Sequence, residues 1–209
     1  MRDFKNAFQS IGKAFALWWG DWANQVLVSL TAVLLSLTVV LAAPGLFGVF
    51  EQARDLTHGV RTGIGGLWQG FRQHIKRSLL WGALNLAAAA VFGFTLWFYA
   101  NSSFAFAPAL VVLITIVAVL YFIWQYFSLA CYTLQDEKKL KLAWKNALAL
   151  MLTRPWLVLI SGLFGAGLSI VSVRYFIPLA LGSPALFALA GLTAVQKTLD
   201  DEGAETRGP

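Results

Sequence analysis

Two stretches of the chain contain no Asp, Glu, Lys or Arg: residues 22–50 and residues 78–135. A helix that crosses the ~30 Å hydrocarbon layer of a bilayer needs roughly 20 apolar residues. The second stretch therefore holds two spans and the first holds one. Two further apolar runs flank Arg174. The predicted spans are about 25–43, 79–100, 109–133, 156–173 and 176–195, with a short turn at "NSSFAFAP" (101–108) and a tight one at Arg174. Pro44-Gly45 ends the first span in a predicted kink or break, because proline removes a backbone donor and disfavours helix at the residue before it. Pro178 and Pro184 are expected to kink the fifth span. Ser161, Gly165 and Ser169 repeat every fourth residue in the fourth span, a small-residue ridge suited to close helix packing.

Between the spans the period of the pattern changes. In residues 1–22, Phe4, Phe8, Ile11, Phe15, Trp18, Trp19 and Trp22 recur at helical spacing, with Lys5, Gln9 and Lys13 off that face. A tryptophan-rich apolar stripe beside lysines predicts an amphipathic helix in the membrane interface. Leu67, Trp68, Phe71 and Ile75 form another stripe, with Arg72, Gln73, Lys76 and Arg77 facing other ways. Leu140, Trp144, Leu148 and Met151 form a third beside Lys138, Lys139, Lys141 and Lys145, and Pro155 stops it. The two basic segments each place a Trp about nine residues before an Arg, Trp68 before Arg77 and Trp144 before Arg154, ahead of a two-span hairpin. The expected domains are an interfacial helix (1–22), one transmembrane helical domain (23–198) and a disordered polar tail (199–209).

Composition fits this picture. The 209 residues are 58% hydrophobic and only 12% charged, about half the charged fraction of a soluble domain. The fold class expected is all-α: a polytopic bundle of about five spans with an N-terminal amphipathic helix and two basic amphipathic cytoplasmic helices. Near spans, the net charge of +6 marks the cytoplasmic side and anionic headgroups rather than nucleic acid. Segments 51–77 and 136–154 hold five basic residues each, so both are assigned to the cytoplasm and the protein to the inner membrane. Five full spans put the N-terminus outside; a re-entrant hairpin at 24–50, turning at Pro44-Gly45, leaves it inside. Five spans is the reading adopted. The stretch 24–43 is read as a retained span, since the region before it is too long and too aromatic for a secretory signal.

Candidate chemistry is sparse. In "TGIGGLWQGFRQHIKR", Gly66 and Gly70 are followed by Leu67 and Phe71, where a P-loop needs Lys-Ser/Thr. His58 and His74 are read as solvated loop residues, without a Cys or carboxylate at metal-ligand spacing. Cys131, the only cysteine, is expected to pack as a small hydrophobe. Asn85 and Gln125 are the deepest polar side chains, expected to hydrogen-bond between helices. No catalytic residue, cofactor or metal is assigned. The positions assigned to the membrane interface or to partner docking are Trp18, Trp19, Trp22, Trp68, Phe71, Arg72, Lys76, Arg77, Lys139, Lys141, Trp144, Lys145 and Arg154.

Four segments in order carry a family likeness: "VVLAAPGLFGVFEQARDL" (39–56), "GLWQGFRQHIKRSLLWGALN" (66–85), "LQDEKKLKLAWKNALALMLTRPWLVL" (134–159) and "LGSPALFALAGLTAVQKTLD" (181–200). Across roughly residues 25–200 the chain resembles the YesL-like family of bacterial membrane proteins, a domain of unknown function. The resemblance implies a small polytopic protein of the kind often encoded beside carbohydrate ABC importers and their regulators. It carries over no catalytic residue. The expected role is a non-enzymatic accessory subunit, with the bilayer and ABC transporter subunits or a membrane sensor as partners. The alternative is a transporter or permease subunit in its own right. Segment 136–154 lacks the glycine of an ordinary importer coupling loop, which counts against that alternative.

Overall fold

The computed structural model describes residues 2–175 and 182–206, and all the regular structure among them is helical. The helices are α1 (Arg2–Gly20), α2 (Trp22–Ser36), α3 (Val39–Thr57), α4 (Gly63–Ala100), α5 (Ala107–Leu134), α6 (Leu140–Thr153), α7 (Pro155–Arg174) and α8 (Ser183–Thr206). Three are long and apolar enough to cross a membrane: α4, α5 and residues Pro155–Ser172 of α7. They contain the predicted spans 79–100 and 109–133 and all but the last residue of 156–173.

The predicted first span is instead divided between α2 and α3, and the break is not at Pro44-Gly45. It falls at Leu37-Thr38, where Thr38 adopts an extended backbone (φ −99°, ψ 116°) and its hydroxyl donates to the Leu35 carbonyl at 2.9 Å. The β-branched run Thr38-Val39-Val40 resists helix continuation there. Pro44 lies inside α3, near its start, where it forfeits only the bond its N–H would make to the Val40 carbonyl. Gly45 lets α3 close on α2: a Cβ there would lie 3.3 Å from Leu35 Cβ.

The predicted fifth span is described only in part. Residues 176–181, with Pro178, lie outside the described residues. The remainder belongs to α8, which is not among the membrane-length apolar helices. Pro184 sits in its first turn, where proline is tolerated. Ala185, Ala188, Leu189, Ala190, Leu192 and Ala194 are all fully buried, so α8 is the axis of the bundle. Nor is the tail from 199 wholly irregular: α8 runs on through Asp200 and Asp201 to Thr206. Residues 207–209 lie outside the described residues.

Around this axis, helices approach through small residues. In α1 the buried positions are Asn6, Ala7, Ser10 and Ala14, while Phe4, Phe8, Phe15 and Trp19 are more than half exposed. The aromatic stripe therefore faces outward, and the small-residue stripe packs along α8. Thr193 of α8 donates to the Ser10 carbonyl (3.0 Å) and Asn6 donates to Asp201 (2.8 Å). In α6 the inner face is Ala143, Ala147 and Leu150, and Leu148 of the predicted stripe is exposed. In α7, Ser161 and Gly165 face inward, with a Cβ at Gly165 only 3.1 Å from the Phe187 ring. Ser169 is exposed, and Ser172 takes its place on the packed face, bonded to Ser183 at 2.7 Å. Without a hydrophobic drive between helices in lipid, close backbone approach at small residues supplies the packing.

Beyond the bundle, the second half of α4 and the first half of α5 form an arm. Phe92 meets Tyr121 and Phe122 across it, while Val91, Phe94, Trp97, Phe98, Val112, Leu113 and Ile116 point away from the protein. At 38 residues, α4 is about 57 Å long, nearly twice the ~30 Å hydrocarbon thickness. Only its uncharged part, from Ser78 onward, can lie in hydrocarbon.

The tightest contact is between α3 and α4. A Cβ at Gly70 would lie 2.7 Å from Glu51 Cβ and 3.2 Å from Gly48 Cα. Gly70→Ala should destabilise the fold by about 1–3 kcal/mol through overpacking. Gly93→Ala, in the arm with nothing within 4 Å, should be neutral or stabilising by up to about 1 kcal/mol. Equilibrium unfolding in mixed detergent reads both changes.

Candidate functional site: a buried charged cluster where α3, α4 and α5 meet

Antiparallel packing of α3 on α4 brings Glu51 opposite His74, and the end of α5 adds Tyr132. Glu51 and His74 are only 6% and 2% exposed. His74 Nε2 lies 3.0 Å from Glu51 Oε1, and His74 Nδ1 lies 3.0 Å from the Tyr132 hydroxyl. A carboxylate only accepts, so Nε2 carries a proton. In the neutral imidazole Nδ1 then accepts from Tyr132, whose oxygen accepts in turn from Arg77 Nη1 at 3.1 Å. Phe47 packs edge-on against the Tyr132 ring.

Cations close the other side of Glu51. Arg54 Nη1 pairs with Oε2 at 2.7 Å, and Lys138 Nζ with Oε1 at 3.2 Å. Lys138 also donates to the Thr133 carbonyl and lies over the Tyr132 ring. Burial alone would raise the Glu51 carboxyl. The His74 hydrogen bond and the charges of Lys138 and Arg54 outweigh it and hold Glu51 below the usual carboxylate range. For Lys138, burial prevails and pulls the ammonium down despite Glu51. The asymmetry is physical: three partners converge on one carboxylate, whereas Lys138 shares that carboxylate with Arg54.

His74 is thus not the solvated loop residue expected. It sits within α4, because the helix begins at Gly63, well before the apolar run. His58 caps the end of α3 and is exposed, as expected. No sequence motif marks Glu51, His74 and Tyr132, which lie 23 and 58 residues apart. The one available signal was an acid and a histidine flanking a turn between two helices.

The positions singled out in the sequence divide. Trp19, Trp22, Trp68, Arg72, Lys76, Arg77, Lys139, Lys141 and Lys145 are exposed. Trp68 stacks on Phe71 with centroids 4.9 Å apart, and Arg72 lies 5.1 Å from the Trp68 ring. Phe71 itself is buried, and Trp18 and Trp144 are half-buried. Trp144 links α6 to α5, donating to Gln125 at 3.3 Å and accepting at its carbonyl from Trp124 at 3.0 Å. Arg154 turns inward to pair with Asp3 (3.1 Å) and Asp201 (3.8 Å). It joins three helices. Asn85 donates within its own helix, to the Trp81 carbonyl, so it is not an interhelical bridge. Gln125 is one. Cys131 is buried, as expected. Among the described residues, no group of three or more His, Cys, Asp and Glu is placed to hold a metal ion.

The class defined is an all-helical protein with membrane-length apolar helices and a buried charged cluster beside them. No family model, no curated protein and no solved structure matches the chain.

Tyr132→Phe removes the donor to His74 and the acceptor for Arg77. It should cost about 1–3 kcal/mol, the range for orphaning a buried polar group. Because the Glu51 pKa is lowered on folding, its stabilisation is complete above pH about 4.5 and is lost as pH falls through the lower folded value. Unfolding measured from pH 6 downward should be steeper in the wild type than in Glu51→Gln.

Proposed function

We propose that the chain is a non-enzymatic accessory subunit of the bacterial inner membrane, acting by helix packing in the bilayer. The observation that carries this reading is the α4–α5 arm. The second half of α4 and the first half of α5 stand largely exposed, with large apolar side chains on their outer faces. Such a two-helix arm offers a ready packing surface for another membrane protein. In this reading the buried cluster serves the packing: Tyr132 donates to His74, and His74, Lys138 and Arg54 converge on Glu51 where α3, α4 and α5 meet. Association with a carbohydrate ABC importer or its regulation rests on the YesL-like resemblance of the sequence.

The proposed topology has the N-terminus, both basic segments and the end of α8 in the cytoplasm, with the α2–α3 hairpin entering and returning from that side. The positive-inside rule supports the sidedness, and the Asp3–Arg154 and Asn6–Asp201 contacts keep α1's start beside the other cytoplasmic segments.

Affinity purification in mild detergent at native expression should recover a transporter or sensor partner. Loss of that partner in an arm variant such as Phe94→Ala/Phe98→Ala, with folding intact, would assign the contact to the arm. Solute uptake by the protein alone in liposomes would favour a permease instead.

A further inference from the structure

The outer side of the charged cluster opens into a cleft of about 350 Å³ lined by Arg72, Gln73, His74, Lys76, Arg77 and Lys138, together with Ile75. We propose that this cleft binds the phosphate-bearing headgroup of an anionic phospholipid. Four of its lining side chains are cations, and no carboxylate lines it. The nearest buried acid, Glu51, is already engaged by His74, Lys138 and Arg54, so it anchors the back wall instead of repelling a ligand.

The cations are held in place. Arg77 spends Nη1 on Tyr132, which fixes the guanidinium plane and leaves its other donors for phosphate oxygens. Arg72 is steadied over the Trp68 ring. Lys138 forms the floor, tethered by Glu51 and the Thr133 carbonyl.

Position selects a lipid over a free anion. One turn beyond Arg77 the exposed face of α4 becomes apolar, with Leu79, Leu80 and Leu84 outward. A phosphate at Arg77 therefore sits at headgroup depth, with its acyl chains continuing along that leucine face. A free anion would have no use for the leucines. Basic residues at this depth each contribute on the order of 1 kcal/mol toward anionic lipid.

The test compares full-length protein in mild detergent titrated with dioleoyl phosphatidylglycerol or dioleoyl phosphatidylcholine, read by native mass spectrometry. The wild type should retain phosphatidylglycerol with at least tenfold preference. The R72Q/K76Q variant leaves the Arg77–Tyr132 and Lys138–Glu51 contacts intact, and it should lose roughly tenfold or more in apparent affinity. K141Q/K145Q removes the same charge from the exposed face of α6 and should bind like the wild type. Equal losses in the two variants would show diffuse surface charge and overturn the proposal, as would no loss in R72Q/K76Q. Displacement of the lipid by inorganic phosphate at matched concentration would overturn the lipid assignment.

Discussion

Close approach of helices to α8 is the constraint on which the rest of the molecule depends. Its buried face is mostly alanine and leucine, and Gly191 is placed where Tyr126 of α5 presses in. A Cβ at Gly191 would lie 2.8 Å from that ring. The Tyr126 hydroxyl then donates to the Phe187 carbonyl at 2.7 Å. The Phe187 ring in turn packs on Tyr126 and Phe50. Thus α3, α5, α7 and α1 all meet one helix, at distances that large side chains would forbid. Dispersion forces fall off steeply with separation, so this closeness is itself the source of cohesion where lipid replaces water.

One consequence is that α3 is held against α8, by the Phe50–Phe187 contact and the Gln196–Thr57 hydrogen bond, while another of its faces meets α4. Gly48 and Gly70 let those two helices touch at backbone level. Glu51 is thereby delivered to His74, and the end of α5 brings Tyr132 to the same point. The charged cluster is thus a product of the packing. It also marks a boundary along α4: matched charges on the inner side of Arg77, apolar side chains facing outward beyond Ser78.

Much of this was legible in the sequence, and the failures share a physical origin. Uninterrupted apolar length located α4, α5 and α7, because the cost of exposing backbone or charge to hydrocarbon leaves few alternatives. Stripes of large apolar residues did not mark the faces that pack between helices. Phe4, Phe8 and Phe15 in α1 and Leu148 in α6 mark outward faces, while Ala7, Ala14, Ala143 and Ala147 mark the packed ones. In a soluble protein the large residues would be inside. Where lipid is the solvent, the preference between helices shifts to small side chains. The Pro44-Gly45 signal failed for another reason: proline near a helix start removes only one hydrogen bond, so the break moved to Thr38. No motif joined Glu51, His74 and Tyr132, because their proximity is tertiary, set by close helix approach at Gly48 and Gly70.

In the proposed arrangement α4 passes from a polar, water-facing environment into hydrocarbon within one continuous helix, near Ser78. A spin-label scan of exposed α4 positions in liposomes, reading collisions with oxygen against a water-soluble nickel chelate, tests it most directly. Labels at Gly65, Gln69 and Gln73 should favour the nickel reagent, and labels at Leu84, Val91, Phe94 and Phe98 should favour oxygen, with the crossover near residue 78. Nickel accessibility through residues 84–98 would contradict it.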